Sequence, residues 1–373
     1  MGSEKKAARD LYRMYYTMLR AGKSEKWRMM HSNTAIILMV SVLAFWVLLC
    51  LVLIVAKRQF LFTEEVDLSM HKPTRTVVSL SSFSQRVFHM QECLNSISKQ
   101  SLRADRIIVT IPLTFRDYEE TVDTGWMDAV EYIEYFDENI DSIVDWFGNF
   151  TNTSYRYSIH AHAEANTTSF LYEFDKLTVQ FLDNDWGPAT KLLGALLLET
   201  DPDTVIITVD DDMMYNHNMV EWLSTRMKRN ISISFGCEAW WEETALGFHC
   251  LAAAHDDHFL WTVESHILGF LMPQTRICRS WLLGFEGVAY HISSFGSDIW
   301  TFLQSLPIGC FYNDDIWLAG YVAGRGVQRV TSLALRHHKH TRDVRRSLST
   351  IKTAQDRKIQ CARHFFPDSH VTV

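Results

Sequence analysis

The chain has 373 residues, 47% of them hydrophobic and 21% charged, and its formal net charge at pH 7 is −8. This length and apolar content suit one large domain or two small ones. The acidic balance argues against a nucleic acid as a partner, because phosphate backbones are bound by basic surfaces.

A long apolar run near the amino terminus is the first element. Residues 35–56 form 22 consecutive uncharged positions, enough for one membrane-spanning helix. Residues 1–33 carry eight Lys or Arg against three acids, which favours a cytosolic amino terminus. A cleaved signal peptide is the alternative, but the run is long and Lys57 and Arg58 follow it instead of a small-residue cleavage site. We therefore predict a cytosolic tail (1–33), a transmembrane helix (34–56) and a type II topology.

Two patterns after the predicted span favour a lumenal location for the rest of the chain. Six of the seven cysteines lie there, an even number that permits up to three disulfides, with free buried thiols as the alternative. Four Asn-X-Ser/Thr sequons also lie there, which fits a secretory compartment. The sequon asparagines are Asn149, Asn152, Asn166 and Asn230.

Regular structure is predicted to begin after a short stem at residues 57–74. Residues 77–80 predict a strand, residues 85–99 a helix and residues 106–111 a second strand. Strand, helix and strand in this order make a βαβ unit, which requires a parallel sheet. Residues 116–170 are acidic and aromatic, and we predict a partly helical insertion there.

The same alternation of strands and helices continues through the middle of the chain. Residues 177–181 predict a strand, residues 185–198 a helix and residues 232–235 a further strand. Residues 204–209 are β-branched and apolar on both faces, which predicts a central strand buried on both sides of a parallel sheet.

The last part of the domain combines a glycine-rich loop, a helix and a strand. Residues 281–290 predict the loop, an acidic pair at Asp314 and Asp315 opens the helix, and residues 327–335 predict the strand. We expect one domain over residues 75–340, followed by a polar, basic tail at 341–373.

Three adjacent acids, Asp210, Asp211 and Asp212, directly follow the predicted central strand. Ligands of open α/β sheets bind at the carboxyl ends of strands, and like charges so close repel one another unless a cation shares the site. Carboxylates of the first and third residue can converge on Mg²⁺ or Mn²⁺. The triplet predicts a metal–diphosphate site, with a solvated turn as the alternative.

These motifs together resemble the GT-A class of nucleotide-sugar glycosyltransferases over residues 75–340. The opening βαβ unit, the D-X-D motif after a central strand, the Gly-rich loop with an acid, the acidic pair at a helix start and a late histidine occur in the same order. The sequence G-P-A-T-K at 187–191 is similar to that of family-2-like Golgi-type members. The resemblance implies an α/β GT-A fold, Rossmann-like with a mostly parallel sheet flanked by helices, behind the single transmembrane helix.

One loop departs from a related pattern. Gly284-Phe285-Glu286-Gly287 differs from the Trp-Gly-rich form of the β-1,4-galactosyltransferases. The identities of donor and acceptor sugars are therefore not carried over.

The resemblance also implies a role for each acid of the two acidic motifs. Asp210 and Asp212 would hold Mn²⁺ or Mg²⁺ at the donor diphosphate, and Asp211 would contact the ribose or orient the loop. Asp315 would be the general base that deprotonates the acceptor hydroxyl, beside Asp314 as acceptor binder, in an inverting transfer. The alternative is that Asp314 and Asp315 only stabilise a helix start.

Further residues complete the expected site. A late histidine, His338 first and His340 next, would complete the metal shell. The residues expected to contact the nucleotide-sugar are Lys191, Arg86, Asp185 and Glu286.

We therefore expect a metal-dependent glycosyltransferase that moves a sugar from a nucleotide-sugar, a UDP-sugar in the first place, to a glycan or glycoconjugate. The resemblance and topology imply a Golgi or ER membrane location with the catalytic domain in the lumen. Two alternatives stay open. One is a non-catalytic GT-A-like glycan-binding or scaffold protein of the secretory pathway, and the other is a lumenal metal-dependent phosphohydrolase.

Overall fold

A computed structural model of the chain describes residues 41, 45, 62–66, 68–70, 73–114, 129–235, 237–238, 275–332, 339–340 and 354–367. The chain divides into two units, residues 1–60 and residues 61–373. Apart from two positions, the predicted transmembrane segment lies outside the described residues. In the ranges given above, no helix is both long enough and apolar enough to cross a membrane.

A mixed sheet of 11 strands forms the centre of the second unit. The strands in chain order are β1 (Phe62–Glu65), β2 (Arg75–Ser81), β3 (Arg106–Pro112), β4 (Arg156–His162), β5 (Thr167–Glu173), β6 (Leu177–Leu182), β7 (Thr204–Thr208), β8 (Met213–Met214), β9 (Ile231–Ser234), β10 (Cys237–Glu238), β11 (Thr275–Cys278), β12 (Trp281–Leu282), β13 (Val288–His291), β14 (Gln328–Ser332) and β15 (Lys339–His340). The order of the 11 strands in the main sheet is β1-β11-β14-β9-β13-β7-β2-β3-β6-β5-β4, while β10 with β12 and β15 with β8 form two separate two-stranded sheets. The four neighbours β7, β2, β3 and β6 are parallel.

The expectation of a mostly parallel sheet is wrong: among the described strands of the main sheet, four neighbouring pairs are parallel, including β9 with β14, and six are antiparallel. Strand β13 lies antiparallel between β7 and β9, and the β4–β5 hairpin is added antiparallel to β6. The turns β4–β5 and β5–β6 span only a few residues, too few for the crossover that parallel neighbours require. The segment predicted as a partly helical insertion thus supplies this hairpin as well as a helix.

Helices cover both faces of the sheet. They are α1 (Gln91–Ser98), α2 (Ala129–Thr151), α3 (Thr190–Leu198), α4 (Met219–Arg226), α5 (Ile299–Gln304), α6 (Asp314–Gly324) and α7 (Ala354–Phe365). The helix predicted at 85–99 is divided into a 3₁₀ turn, Ser84–His89, and α1. The 3₁₀ turn carries Arg86, which lines the cavity described below.

The prediction of a central strand buried on both sides is confirmed. In β7, Ile206 packs in one apolar cluster and Ile207 in the other, because successive strand residues point to opposite faces. Helices α1, α2 and α4 contribute to the cluster of Ile207, and α3, α5, α6 and α7 to that of Ile206. Burying a side chain of this size stabilises the fold by roughly 1.5–3 kcal/mol.

Helix α3 approaches the sheet so closely that one position must be glycine. A Cβ added to Gly194 would lie 2.3 Å from Oγ1 of Thr110 in β3, closer than non-bonded atoms can come. This close contact fixes the height of α3 above the sheet, and with it the position of the side chains in its first turn.

Two disulfides join segments that are far apart in the sequence. Cys237 pairs with Cys278, and Cys310 pairs with Cys361. The second links the residues before α6 to α7, which lies in the segment expected to be a polar tail and packs on the domain core. Cys93 is a buried free thiol.

Candidate active site

A cavity of ≈ 230 Å³ opens where the parallel strands end. Ser81 ends β2, Pro112 ends β3, and Asp185 and Asp210 follow β6 and β7. Parallel strands place their carboxyl ends at one edge of a sheet, where ligands of such folds bind. The ionisable residues that line the cavity are Arg86, Asp185, Lys191, Asp210, Asp211, Asp212, Asp314 and Asp315.

Lys191 links the two acidic motifs. Its ammonium Nζ lies 2.7 Å from Oδ1 of Asp210 and 3.1 Å from Oδ2 of Asp314. Lys191 and Asp314 are both buried. Burial alone would lower the pKa of Lys191, but Asp210, Asp314 and Asp315 outweigh it and hold this pKa well above its usual value. Lys191 is therefore a permanent cation between the acids.

Arg86 forms ion pairs with the other two acids of the triplet, Asp211 and Asp212. Its guanidinium pairs with Asp211 and lies 3.1 Å from Oδ2 of Asp212. The Ser82 hydroxyl donates a 2.6 Å hydrogen bond to Asp211. Burial raises the pKa of Asp211 to about 6, while Arg86 opposes this shift. These contacts hold the Asp211 carboxylate in place beside Arg86 and Ser82.

The acidic pair at the start of α6 lies on the far side of Lys191. Burial raises the pKa of Asp314 against the opposing charge of Lys191. Burial and the neighbouring Asp314 raise the pKa of Asp315 to about 8. A carboxyl group with a pKa near the working pH suits general acid–base chemistry.

Gly284 allows Asp315 its position. The Gly284 backbone N–H donates a 2.8 Å hydrogen bond to Oδ2 of Asp315. A Cβ on Gly284 would lie 2.2 Å from Oδ1 of the same carboxylate. Any side chain at position 284 would therefore displace Asp315. This explains why the loop has a glycine at this position.

Tyr215 joins the acidic triplet to the Gly-rich loop and was not found from the sequence. Its hydroxyl accepts a 2.8 Å hydrogen bond from the Asp210 backbone N–H and donates a 3.1 Å bond to the Phe285 carbonyl. The Tyr215 backbone N–H donates to the Ser96 hydroxyl of α1. A tyrosine three residues after an acidic triplet has no sequence signature, so only the fold reveals this link.

Eight of the expected site residues lie around this one cavity. Glu286 is buried within the Gly-rich loop and is not part of the described cavity wall. His338 lies outside the described residues. The backbone of His340 in β15 lies opposite Met213 of β8, directly after Asp212 in the chain.

The carboxylates around the cavity fit a divalent cation. Six carboxyl groups share the cavity with two cationic side chains, an excess of negative charge that favours a bound cation. In the part of the chain that the structure describes, no three His, Cys, Asp or Glu side chains are grouped as a complete metal site. Mg²⁺ and similar ions are commonly held by one or two carboxylates together with substrate phosphates. Asp210 and Asp212 can supply these carboxylates.

Comparisons with known proteins give similarity only at the level of solved structures. No family model matches the chain, and no curated protein matches it. A crystal structure of a mycobacterial protein is 14% identical, with a TM-score of 0.35, and the match covers 78% of this chain and 74% of that one.

Glucosyl-3-phosphoglycerate synthase from Mycobacterium tuberculosis is also similar to this chain. Its complex with Mn²⁺, uridine diphosphate and glucosyl-3-phosphoglycerate is 13% identical, with a TM-score of 0.36 and coverage of 78% of this chain and 79% of that one. Its complex with Mn²⁺, UDP-glucose and phosphoglyceric acid is 12% identical, with a TM-score of 0.33 and the same coverage. At these scores, the assignment of the site depends on its own geometry.

Proposed function

We propose that this protein is a metal-dependent glycosyltransferase of the GT-A class, which moves a sugar from a UDP-sugar to a hydroxyl group of a glycan or glycoconjugate. One observation carries the proposal: Lys191 joins the acid that follows the central strand to the acidic pair of α6 within a single cavity. The acids proposed to bind the metal and diphosphate therefore lie in the same cavity as the acids proposed to transfer the proton.

The donor half of the cavity suits a nucleoside diphosphate. Asp210 and Asp212 would hold Mn²⁺ or Mg²⁺, and a histidine from 338–340 would complete the shell. The metal, when bound, neutralises charge that develops on the leaving diphosphate. Arg86 and Lys191 add positive charge at the same place, and Asp185 at the rim accepts a 2.7 Å hydrogen bond from the Gly187 backbone N–H. Asp185 and Asp211 would face the nucleoside.

The acceptor half would carry the proton transfer. In the proposed reaction the carboxylate of Asp315 takes the proton from the acceptor hydroxyl. The oxygen attacks the anomeric carbon as the bond to the diphosphate breaks, which inverts the configuration. Asp314, held by Lys191, would orient the acceptor. Because Asp315 accepts the Gly284 hydrogen bond through Oδ2, its other oxygen is the one we assign to the proton.

We further propose that the protein is a type II membrane protein whose catalytic unit lies in the lumen of the Golgi or the ER. The uncharged run at 35–56 supports an anchor. All four sequon asparagines are exposed, as glycan attachment requires. The pairs Cys237–Cys278 and Cys310–Cys361 fit an oxidising compartment.

The deciding experiment is a calorimetric titration of the full-length protein with UDP and with GDP, each with and without Mn²⁺. We expect UDP to bind only with the metal, and Asp210→Ala to abolish this binding. Asp175→Ala, at an exposed position away from the cavity, is the matched control and should bind as the wild type does. A folded wild type that binds neither nucleotide contradicts the donor assignment.

Asp315→Asn separates an enzyme from a scaffold. We expect this variant to bind UDP with Mn²⁺ as the wild type does and to lose transfer to acceptors, because the base is gone while the donor half is intact. Unchanged transfer by Asp315→Asn would refute its role as the base. Release of free phosphate by the wild type without an acceptor would instead indicate a phosphohydrolase.

A further inference from the structure

A second, larger cavity lies beside the first. Its volume is ≈ 630 Å³, within the range of roughly 300–1,000 Å³ that small-ligand sites occupy. Asp185 lines both cavities. The segment before and into α6 also contributes to both: Tyr312, Asp314 and Asp315 line the smaller cavity, while Phe311 and Trp317 line the larger one.

The wall of the larger cavity combines aromatic rings with neutral amides. Trp300 of α5 is half-buried, and its ring centroid lies 5.4 Å from that of Trp186 in a tilted arrangement. Asn184 and Gln304 also line the cavity. The Asn184 Nδ2 donates a 3.0 Å hydrogen bond to the Asn166 carbonyl, which holds the β4–β5 turn against the loop after β6.

This composition selects a class of ligand. Amide groups both donate and accept hydrogen bonds, as ligand hydroxyl groups require, and aromatic rings pack against the apolar faces of rings. Asp185 is the one charged residue among the described residues that line this cavity. The described wall contains no Lys, Arg or His that could receive a phosphorylated or otherwise anionic ligand, and the Asp185 carboxylate would repel such a ligand.

We propose that the cavity around Trp300 is a binding subsite for a neutral oligosaccharide, namely the part of the acceptor glycan that lies beyond the reacting sugar. The proposal rests on the proposed function, since it assigns to that transfer an uncharged carbohydrate acceptor. The shared Asp185 and the segment 311–317 connect the subsite to Asp315. The reacting hydroxyl enters the smaller cavity while the rest of the glycan lies against Trp300.

Binding of neutral trisaccharides to the full-length protein tests this subsite. Cellotriose, maltotriose, mannotriose and chitotriose are titrated by calorimetry without nucleotide and without metal, with glucose 6-phosphate as the anionic comparison. We expect at least one trisaccharide to bind and Trp300→Ala to weaken this binding about tenfold, because the ring that it packs against is lost. Trp300→Phe, which retains a ring, should recover most of the affinity.

Thr301→Ala is the matched control, since Thr301 is exposed on the same helix and does not line the cavity. It should bind the trisaccharide as the wild type does. Equal binding by Trp300→Ala and wild type, absence of binding by any trisaccharide, or preference for glucose 6-phosphate would each overturn the proposal.

A separate titration with UDP and Mn²⁺ distinguishes this proposal from the proposed function. Trp300→Ala should leave nucleotide binding unchanged. Trisaccharide binding without any UDP binding would retain the subsite and reject the glycosyltransferase. UDP binding without trisaccharide binding would retain the nucleotide site and reject the subsite.

Discussion

At the scale of single residues, Lys191 neutralises acids of both acidic motifs. It lies buried between Asp210 and Asp314, and removing one partner of a buried ion pair leaves an uncompensated charge. We expect Lys191→Met to lower the free energy of unfolding by about 3 kcal/mol, as measured by urea denaturation.

Lys176→Met is the matched control, because Lys176 is exposed. Its unfolding free energy should change by less than about 0.5 kcal/mol. An effect of Lys191→Met as small as that of the control would mean that its two ion pairs contribute nothing to stability.

The raised pKa of Asp315 predicts two pH dependences of opposite sign. Only the ionised carboxyl accepts a proton, so kcat/KM should rise with pH until about pH 8, the pKa of this group. The unfolded chain loses this proton near the ordinary value of 3.8. The folded state thus binds more protons between these two values, and its stability falls as pH rises through this window.

Asp315→Asn cannot titrate and should remove this contribution to the slope of stability against pH. Thermal unfolding of the variant and the wild type across the window, with the exposed Asp175→Asn as control, measures the difference. Identical slopes in Asp315→Asn and wild type would show that Asp315 has no raised pKa.

At the scale of elements, the end of β7 and the Gly-rich loop act together through Tyr215. Its hydroxyl accepts a hydrogen bond from Asp210, which follows β7, and donates one to Phe285 in the Gly-rich loop. Gly284, next to Phe285, donates a hydrogen bond to Asp315. Tyr215 touches no substrate in the proposed site, and we assign it a positioning role.

We expect Tyr215→Phe to weaken UDP binding in the presence of Mn²⁺ and to lower kcat, since the half-buried Asp210 N–H and Phe285 carbonyl lose their partner at a cost of about 1 kcal/mol. Tyr321→Phe is a matched control. The Tyr321 hydroxyl accepts from Gly296 N–H and donates to Asp298 outside the cavity wall. Both variants should lose stability, but only Tyr215→Phe should lose nucleotide affinity. Equal affinities would reject the positioning role.

At the scale of the whole molecule, α7 packs against the helix that carries the acidic pair. Cys310–Cys361 fixes α7 against the segment that leads to Asp314, and a Cβ on Gly320 of α6 would lie 2.4 Å from the Phe365 ring. The packing of α6, and so the placement of its two acids, depends on α7.

We expect Cys361→Ser to lower the free energy of unfolding by roughly 2–5 kcal/mol, the usual effect of losing a native disulfide. Activity per folded molecule should fall as well, because Asp314 and Asp315 lie in α6. Denaturation and activity assays of the purified variant and of the wild type check both. A Cys361→Ser protein as stable as the wild type would contradict the role of this bond.

The parallel centre of the fold and most of the cavity follow from sequence pattern. The β-branched run 204–209 predicts a strand buried on both sides, and the acids after it must then lie at the carboxyl edge of the sheet. The antiparallel hairpin β4–β5 and the position of α7 depend on contacts between residues far apart in the chain, which local periodicity does not encode.

By itself, the sequence determined which residue types are available for metal, diphosphate and proton chemistry, and which strand ends carry them. Only the tertiary structure decided that Lys191 is shared between Asp210 and Asp314, that Tyr215 joins two loops and that Trp300 borders a second cavity. The physical reason is that these relations are distances between side chains on different elements. Those distances are set by packing of the two apolar clusters on the sheet, and by close approaches such as Gly284 to Asp315.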